Sequence, residues 1–244
     1  MPSSTRAFLD RCRDPHPPRS VRCLFALALV VGAGTVAVGV AVTGLWLVVA
    51  TDGAFGRLPA VTSMTSGAPV PAPFVPVWTY GGTMGIPVSL VDVTDGSRAV
   101  INRNLVELIE GPGARWLGAL PVGLLIAAGG VSAWLLSSVR SLGGSFLAGA
   151  AVAVGYAPAL VALALLFRVG LGDVPVTDAG YVRVGGTGFP PARVAGDSVG
   201  LPPWRTAART FLAAITLGGL GGLCAHFGAV VRRIPFGSRS PDGG

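Results

Sequence analysis

Three stretches of this sequence are too long and too apolar for the interior of a soluble domain. Residues 23–50 and 210–231 contain no Asp, Glu, Lys or Arg, and 116–167 contains only Arg140. A helix needs about 20 apolar residues to cross a hydrocarbon core about 30 Å thick. The first and last stretches therefore each hold one membrane-spanning helix, and the middle stretch is long enough for two.

The middle stretch divides near its centre. Residues 137–144 combine serines, glycines and one arginine, which predicts a tight turn between two helices. The predicted fold class is an all-α transmembrane protein: a four-helix membrane bundle with a small β-containing extracytoplasmic module built from two loops. The expected segments are a basic tail 1–22, helix 23–50, loop 51–115, helix 116–138, turn 139–144, helix 145–167, loop 168–209, helix 210–231 and tail 232–244.

The positions of the arginines predict the orientation. Only 12% of the residues are charged, and all 18 basic residues are arginine. The two tails and the short turn carry half of them, although the two long loops contain far more residues. Since the positive-inside rule weighs short segments close to the spans, both termini are predicted to be cytoplasmic and the chain to be a multi-pass plasma-membrane protein. The net charge of +7 reflects the shortage of acidic residues and the short basic tails beside the spans, so nucleic acid is not an expected partner.

The long loops contain two hairpin signals. Residues 88–93 and 98–102 flank an Asp-Gly turn, and residues 174–176 and 181–184 flank the turn 177–180. One hairpin alone is marginal in water, so we expect the two loops to fold together as one outer module. Residues 105–110 fit either a third strand or a helical turn.

Proline and glycine are frequent in other parts of the loops. The proline-rich run 69–76 predicts an extended spacer of polyproline type. The wider segments 59–87 and 185–203 are rich in both residues, and we expect them to stay extended or mobile. Pro158, in the third helix, removes a backbone donor and should kink that helix near Tyr156.

No residue pattern predicts catalysis or a cofactor. The sequence GDSVG at 196–200 matches a nucleophile elbow, but Leu201 and then two prolines follow it, which disfavours a helix there, and both histidines lie in a predicted tail or span. The predicted spans contain no Asp or Glu, which proton relays and ion-coupled transporters use. We therefore predict no enzyme activity, no catalytic or metal site and no cofactor.

Small residues recur at every fourth position in two of the spans. Such spacing lets helix backbones approach closely, so the candidate helix-packing residues are Ala151, Gly155, Ala159, Gly218 and Gly222. These residues pack either within the bundle, which four helices favour, or against a second copy or another membrane protein. His226 is the candidate intramembrane polar residue, and its place near Arg232 indicates an interfacial structural role.

The order of these parts resembles uncharacterised four-helix integral membrane proteins of actinobacteria. The basic tail, the long first helix and the tight hairpin WLLSSVRS at 134–141 carry the resemblance. It implies an architecture and no activity. We expect a non-enzymatic accessory, sensor or scaffold protein whose partners are the lipid bilayer and either other membrane proteins or a second copy. The alternative is a subunit of a membrane transporter or permease.

Overall fold

The computed structural model describes residues 17–91, 103–109, 114–136, 141–184 and 187–231 of the chain. The described part is mostly helical. In chain order its helices are α1 (Pro17–Ala50), α2 (Pro59–Thr62), α3 (Phe74–Thr83), α4 (Leu105–Leu108), α5 (Ala114–Leu117), α6 (Leu120–Leu135), α7 (Leu142–Ala150), α8 (Ala153–Leu166), α9 (Pro191–Val194) and α10 (Pro203–Val231). Single 3-10 turns cover Phe55–Arg57 and Leu171–Asp173. The strands are β1 (Ser89–Val91), β2 (Val169–Gly170), β3 (Val182–Val184), β4 (Thr187–Phe189) and β5 (Ser198–Gly200).

Four helical segments are long and apolar enough to cross a membrane: Phe25–Ala50, Ala114–Leu135, Leu142–Leu166 and Pro203–Val231. Each leaves large apolar side chains exposed, among them Val49, Trp134, Leu166 and Phe211. Exposed apolar surface on this scale suits a lipid environment, because soluble monomers rarely expose contiguous apolar patches beyond a few hundred Å².

The last of these helices begins at Pro203 rather than at Thr210. Proline is favoured at the first helical position because its missing N–H would be unpaired there in any case. Arg205 and Arg209 therefore lie inside α10, although the hydropathy pattern placed them before it. Hydropathy locates the apolar part of a helix and not its first turn.

The third segment is interrupted between α7 and α8, at residues 151–152, one turn before the kink expected near Tyr156. The amides of Val152 and Val154 donate to residues three positions earlier in the chain. α7 packs on α10, whereas α8 packs on both α1 and α10. The interruption lets the two halves of the segment pack against different helices. Pro158 lies inside α8.

The β-strands join the two long loops. β5, from the second loop, lies between β1 of the first loop and β2, and both pairings are antiparallel. Val199 is opposite both Leu90 and Val169 and is fully buried. A separate antiparallel pair joins β3 to β4. We call the described parts of 51–115 and 168–202 the loop module.

Two of the hairpin expectations change in the structure. β3 pairs with β4 and not with residues 174–176, where Pro175 has no N–H to give to a ladder. In the first loop, β1 and an antiparallel bridge between Val88 and Arg103 enclose the predicted turn. The turn itself, 92–102, lies outside the described residues. Residues 105–108 form the helical turn α4 and not a strand.

The expectation of an extended proline-rich spacer is wrong. Residues 74–83 form the helix α3, in which Trp78 and Tyr80 are fully buried. Pro73 caps this helix and Pro76 lies in its first turn, where a missing N–H costs little. The residues between Val75 and Gly82 are buried on almost every side, as expected of a helix in the centre of a fold.

Buried apolar side chains form two cores. One core lies in the loop module and includes Trp78, Leu105, Val184 and Val199. The other lies among α1, α6, α8 and α10 and includes Val36, Tyr80, Tyr156 and Ala214. α3 contributes a large aromatic side chain to each core, so this helix joins the loop module to the long helices.

Candidate functional site

α3 lies beside α1, and its C-terminal part is inserted between the long helices. A Cβ atom at Gly44 of α1 would lie 3.5 Å from the Cγ atom of Pro76, and the Tyr80 ring lies against Gly39, further from the end of α1. A Cβ atom at Gly39 would lie 2.4 Å from the ring carbon Cζ of Tyr80. Gly39 is therefore required to be small because a loop side chain occupies the space beside it. At 1.5 Å of rise per residue, this position is about 16 Å from the last residue of α1.

A pair of tyrosine hydroxyls connects α3 to α8. The Oη atoms of Tyr80 and Tyr156 are 2.7 Å apart, and Tyr156 donates to the Sδ atom of Met84 at 3.0 Å. Because a phenol has one proton, Tyr80 must be the donor to Tyr156. A phenol is neutral at physiological pH, so both hydroxyls keep their protons. We call Gly39, Tyr80, Tyr156 and Met84 the tyrosine crossing.

The other end of α3 is fixed to the last turn of α8. The indole N–H of Trp78 donates to the carbonyl oxygen of Phe167 at 2.8 Å. The ring of Phe74 meets the ring of Phe167 edge to face, with centroids 5.2 Å apart. Carbonyls at a helix end have no partner within the helix, and Trp78 supplies one. α3 is thus held to the long helices at two levels.

The C-terminal end of α3 is bound by α10. Gly85, just after α3, has a φ of +68°, a conformation in which glycine is favoured at helix ends. The guanidinium of Arg209 donates a hydrogen bond to the carbonyl oxygen of Gly85. Beside this contact lies an open cleft of about 630 Å³. We call it the arginine cleft; its lining residues are Gly85, Pro87, Asn104, Glu107, Trp204, Arg205, Ala208 and Arg209.

The polar side chains of the arginine cleft are fixed by short contacts. Asn104 donates to the Oε1 atom of Glu107 at 3.1 Å and accepts from the amide of Val106 at 3.2 Å, which caps α4. Arg205 lies over the ring of Trp204, with its Cζ atom 5.2 Å from the ring centroid. Among the residues that the structure describes, two guanidinium groups and one carboxylate line the cleft, at the junction of the loop module with α10.

The predicted glycine seam in α10 lies at a backbone contact within the chain. A Cβ atom at Gly218 would lie 2.7 Å from the carbonyl oxygen of Gly149, and one at Gly222 would lie 2.1 Å from that of Ser145. On the other side of α10, a Cβ atom at Gly221 would lie 2.0 Å from the carbonyl oxygen of Ile126. We call this meeting of α6, α7 and α10 the glycine crossing.

The predicted small residues of the third span lie in three different places. A Cβ atom at Gly155 would lie 2.3 Å from the carbonyl oxygen of Leu29, so this glycine packs on α1. Ala151 lies in the turn between α7 and α8, and Ala159 packs partly buried against the core of the long helices. The structure therefore does not bring these three together with Gly218 and Gly222 as one seam.

His226 lies at the end of the glycine crossing. Its Nδ1 atom is 3.2 Å from the Oγ atom of Ser145, and its ring meets the ring of Phe227 edge to face. The side chain is half-buried. Among the residues that the structure describes, no group of three His, Cys, Asp or Glu side chains could hold a metal ion. The contacts of His226 are those of a helix-packing residue.

Sequence reasoning missed α3, its aromatic residues and the arginine cleft. The signal that could have revealed α3 was present: after Pro73, apolar residues follow one another without the alternation of a strand. The prolines of this segment favour an extended conformation, and the prediction followed that preference. The cleft has no such signal, because Glu107 and Arg209 are far apart in the chain and line one cleft only in the folded protein.

The sequence profile of one family matches residues 13–230, which include all four apolar helices and both loops. The chain belongs to this family. It is described as a family of unknown function (DUF7978). Comparison with curated proteins found no match, and neither did comparison with solved structures. Membership of DUF7978 therefore extends over almost the whole chain and includes the tyrosine crossing and the arginine cleft.

Proposed function

We propose that this chain is a non-enzymatic accessory, sensor or scaffold protein of the plasma membrane, with four spans, both termini in the cytoplasm and the loop module outside. The sidedness rests on the arginines of the short tails and the turn. The resemblance to actinobacterial four-helix membrane proteins belongs to this proposal as well.

The observation that carries the proposal is the position of α3. Its N-terminal part contributes Trp78 to the core of the loop module, and its C-terminal part contributes Tyr80 to the core of the long helices. A structural change in the module can therefore reach α1 and α8 directly. This coupling suits a protein that binds a partner outside the membrane and either holds that partner in place or transmits the effect of its binding to the long helices.

The loop module has an exposed side on which such a contact can form. Val176 and Tyr181 are each about half exposed, at 51% and 48%. A shallow depression of about 430 Å³ lies beside Tyr181 and is also lined by Asp178 and Arg183. An exposed aromatic ring with charges around it has the composition common in protein interfaces.

The alternative, a transporter or permease subunit, has less support from the intramembrane hydroxyls. Thr43 donates to Gly39 and Thr216 donates to Leu212, each within its own helix. Tyr156 is engaged with Tyr80. A solute pathway without acidic residues would use these three hydroxyls, whose protons are committed, together with Ser132. The Ser132 hydroxyl is buried and has no hydrogen-bond partner among the described residues.

Cysteine labelling of the full chain tests the sidedness. In a background with serine at Cys12, Cys23 and Cys224, we expect Asp178→Cys to react with a membrane-impermeant maleimide in intact cells. Gly244→Cys should react only after the membrane is permeabilised. Labelling of Gly244→Cys in intact cells, with Asp178→Cys protected, would reverse the proposed orientation.

Site-specific photo-crosslinking in the native membrane separates the two function classes. A photoreactive residue at Val176 or Tyr181 should give discrete protein adducts if the loop module is the contact surface. The matched positions are Leu212 and Leu220, which are exposed on α10. Adducts from the α10 positions alone would contradict the proposal and favour a subunit that assembles through its helices.

A further inference from the structure

The arginine cleft lies where the apolar surface of α10 begins. Trp204 is 69% exposed, and Phe211 and Leu212, further along the same helix, are also exposed and apolar. Arg209 is exposed and only three residues before Leu212, which is about 5 Å along the axis. Along α10, the two arginines of the cleft therefore lie immediately before the exposed apolar surface that would face lipid.

A second tryptophan marks the same level. Trp116 is 80% exposed at the start of the neighbouring span, and α6 contacts α10 where Gly129 meets Gly218. Counted from that contact, Trp116 and Trp204 lie at similar heights, each about 20 Å away. Exposed tryptophans favour the headgroup level of a membrane, which indicates that the cleft opens among lipid headgroups.

The charges of the described residues that line the cleft suit an anion with a single negative charge. Arg205 and Arg209 are one helical turn apart and line the same cleft, whereas Glu107 lines it from α4. Guanidinium groups form charge-assisted hydrogen bonds with phosphate oxygens. The carboxylate of Glu107 disfavours a second negative charge. Two guanidiniums and one carboxylate together suit a phosphodiester, which carries one charge, better than a phosphomonoester.

We propose that the arginine cleft binds the phosphodiester headgroup of a membrane phospholipid, with Arg205 and Arg209 as its phosphate ligands. The acyl chains would lie along the exposed side of α10 at Phe211 and Leu212. A bound headgroup would touch α10, the end of α3 at Gly85 and α4 at once, and would strengthen the attachment of the loop module to the long helices. This inference rests on the proposed membrane placement but not on its sidedness or on the accessory role.

Native mass spectrometry of the full chain in detergent tests the site. The probes are short-chain phosphatidylglycerol, a phosphodiester, and short-chain phosphatidic acid, a phosphomonoester. We expect Arg205→Gln to raise the half-saturating phosphatidylglycerol concentration about tenfold, as loss of one charge-assisted hydrogen bond predicts. Arg209→Gln should do the same, and Arg209→Lys should recover part of the binding. Glu107→Gln should improve binding of phosphatidic acid more than that of phosphatidylglycerol.

The matched control is Arg115→Gln. Arg115 is exposed beside Trp116 at the same level but does not line the cleft. An equal loss of lipid in this variant would overturn the proposal, because any interfacial arginine would then suffice. Since Arg209 also holds Gly85, the melting temperature of each variant is measured, and Arg205→Gln decides the matter if Arg209→Gln fails to fold.

Competition with inorganic phosphate distinguishes the source of the phosphate group. If phosphate displaces phosphatidylglycerol at a similar concentration, the cleft is a site for a soluble anion, and the lipid assignment is wrong. If phosphate at a large excess leaves the lipid bound, the proposal stands. The labelling experiment on sidedness has no bearing on this result, so failure of one is not failure of the other.

Discussion

The glycine crossing and the tyrosine crossing bring helices together in different ways. At Gly218 and Gly222, α10 meets α7 backbone to backbone, with no side chain between them. At Gly39, α1 and α8 are separated by the ring of Tyr80, which comes from the loop helix α3. A helical glycine thus has two uses here: one allows a close approach of helices, and the other makes room for a ring.

The comparison shows why a pattern of small residues predicts the first use and not the second. Helices that approach closely need small residues at intervals of four, which is visible within one segment. A space for an inserted ring needs a single glycine, and the ring that fills it comes from elsewhere in the chain. The two crossings should therefore respond differently to added side chains.

The largest effect is expected from Gly222→Leu. A Cβ atom there would lie 2.1 Å from a backbone oxygen of Ser145, and a backbone cannot turn aside as a side chain can. We expect a loss of about 3 kcal/mol or more in folding free energy. The measurement is the melting temperature in detergent together with the yield of folded protein. Gly34→Leu is the control, since nothing lies within 4 Å of a Cβ atom at Gly34. An unchanged melting temperature in Gly222→Leu would show that α10 does not meet α7 in this way.

Gly39→Ala should have the next largest effect. The added methyl group would lie 2.4 Å from the Tyr80 ring, which can move only by lengthening its bond to Tyr156. We expect a loss of about 1–3 kcal/mol. Gly34→Ala, on the same helix, should be neutral or slightly stabilising because alanine favours helices. If Gly39→Ala costs little in a Tyr80→Ala background, the ring is the group that clashes.

The hydroxyl pair is tested by a double-mutant cycle. Tyr80→Phe removes one hydrogen bond and should cost about 1 kcal/mol. Tyr156→Phe should cost more, because it also removes the bond to Met84 and leaves the Tyr80 hydroxyl buried without an acceptor. The double variant should cost no more than Tyr156→Phe alone, because Tyr80→Phe removes the hydroxyl that Tyr156→Phe leaves unpaired. Strictly additive losses would show that the two hydroxyls do not interact.

The smallest effect is expected from His226→Leu. The histidine is half-buried and its bond to Ser145 is 3.2 Å long, so we expect a change of about 0.5 kcal/mol or less in folding free energy. The Ser145 hydroxyl can then donate to a carbonyl of its own helix. Loss of folded protein in this variant, without a similar loss in His226→Gln, would assign the imidazole a role beyond helix packing.

The sequence alone was sufficient to predict the four apolar helices. Their length and hydropathy are properties of continuous segments, and each backbone hydrogen bond in a helix is local. The strand at 182–184 was also predicted correctly, because alternation of β-branched residues is local. The partner of this strand was not predicted correctly, since residues 174–176 and residues 187–189 are both near it in the chain and only the folded protein selects between them.

The tertiary structure decided the conformation of the proline-rich segment, where the apolar run after Pro73 permits a helix without requiring one, and it decided the place of the charged residues beside that segment. Nothing within 69–83 requires a helix; α3 forms because Trp78 and Tyr80 find buried partners in Phe167 and Tyr156, far along the chain. Burial of two large aromatic rings outweighs a weak local preference for extended backbone. For the same reason Arg209 meets Gly85 only after α3 is in place, and the arginine cleft is a product of packing rather than of any local pattern.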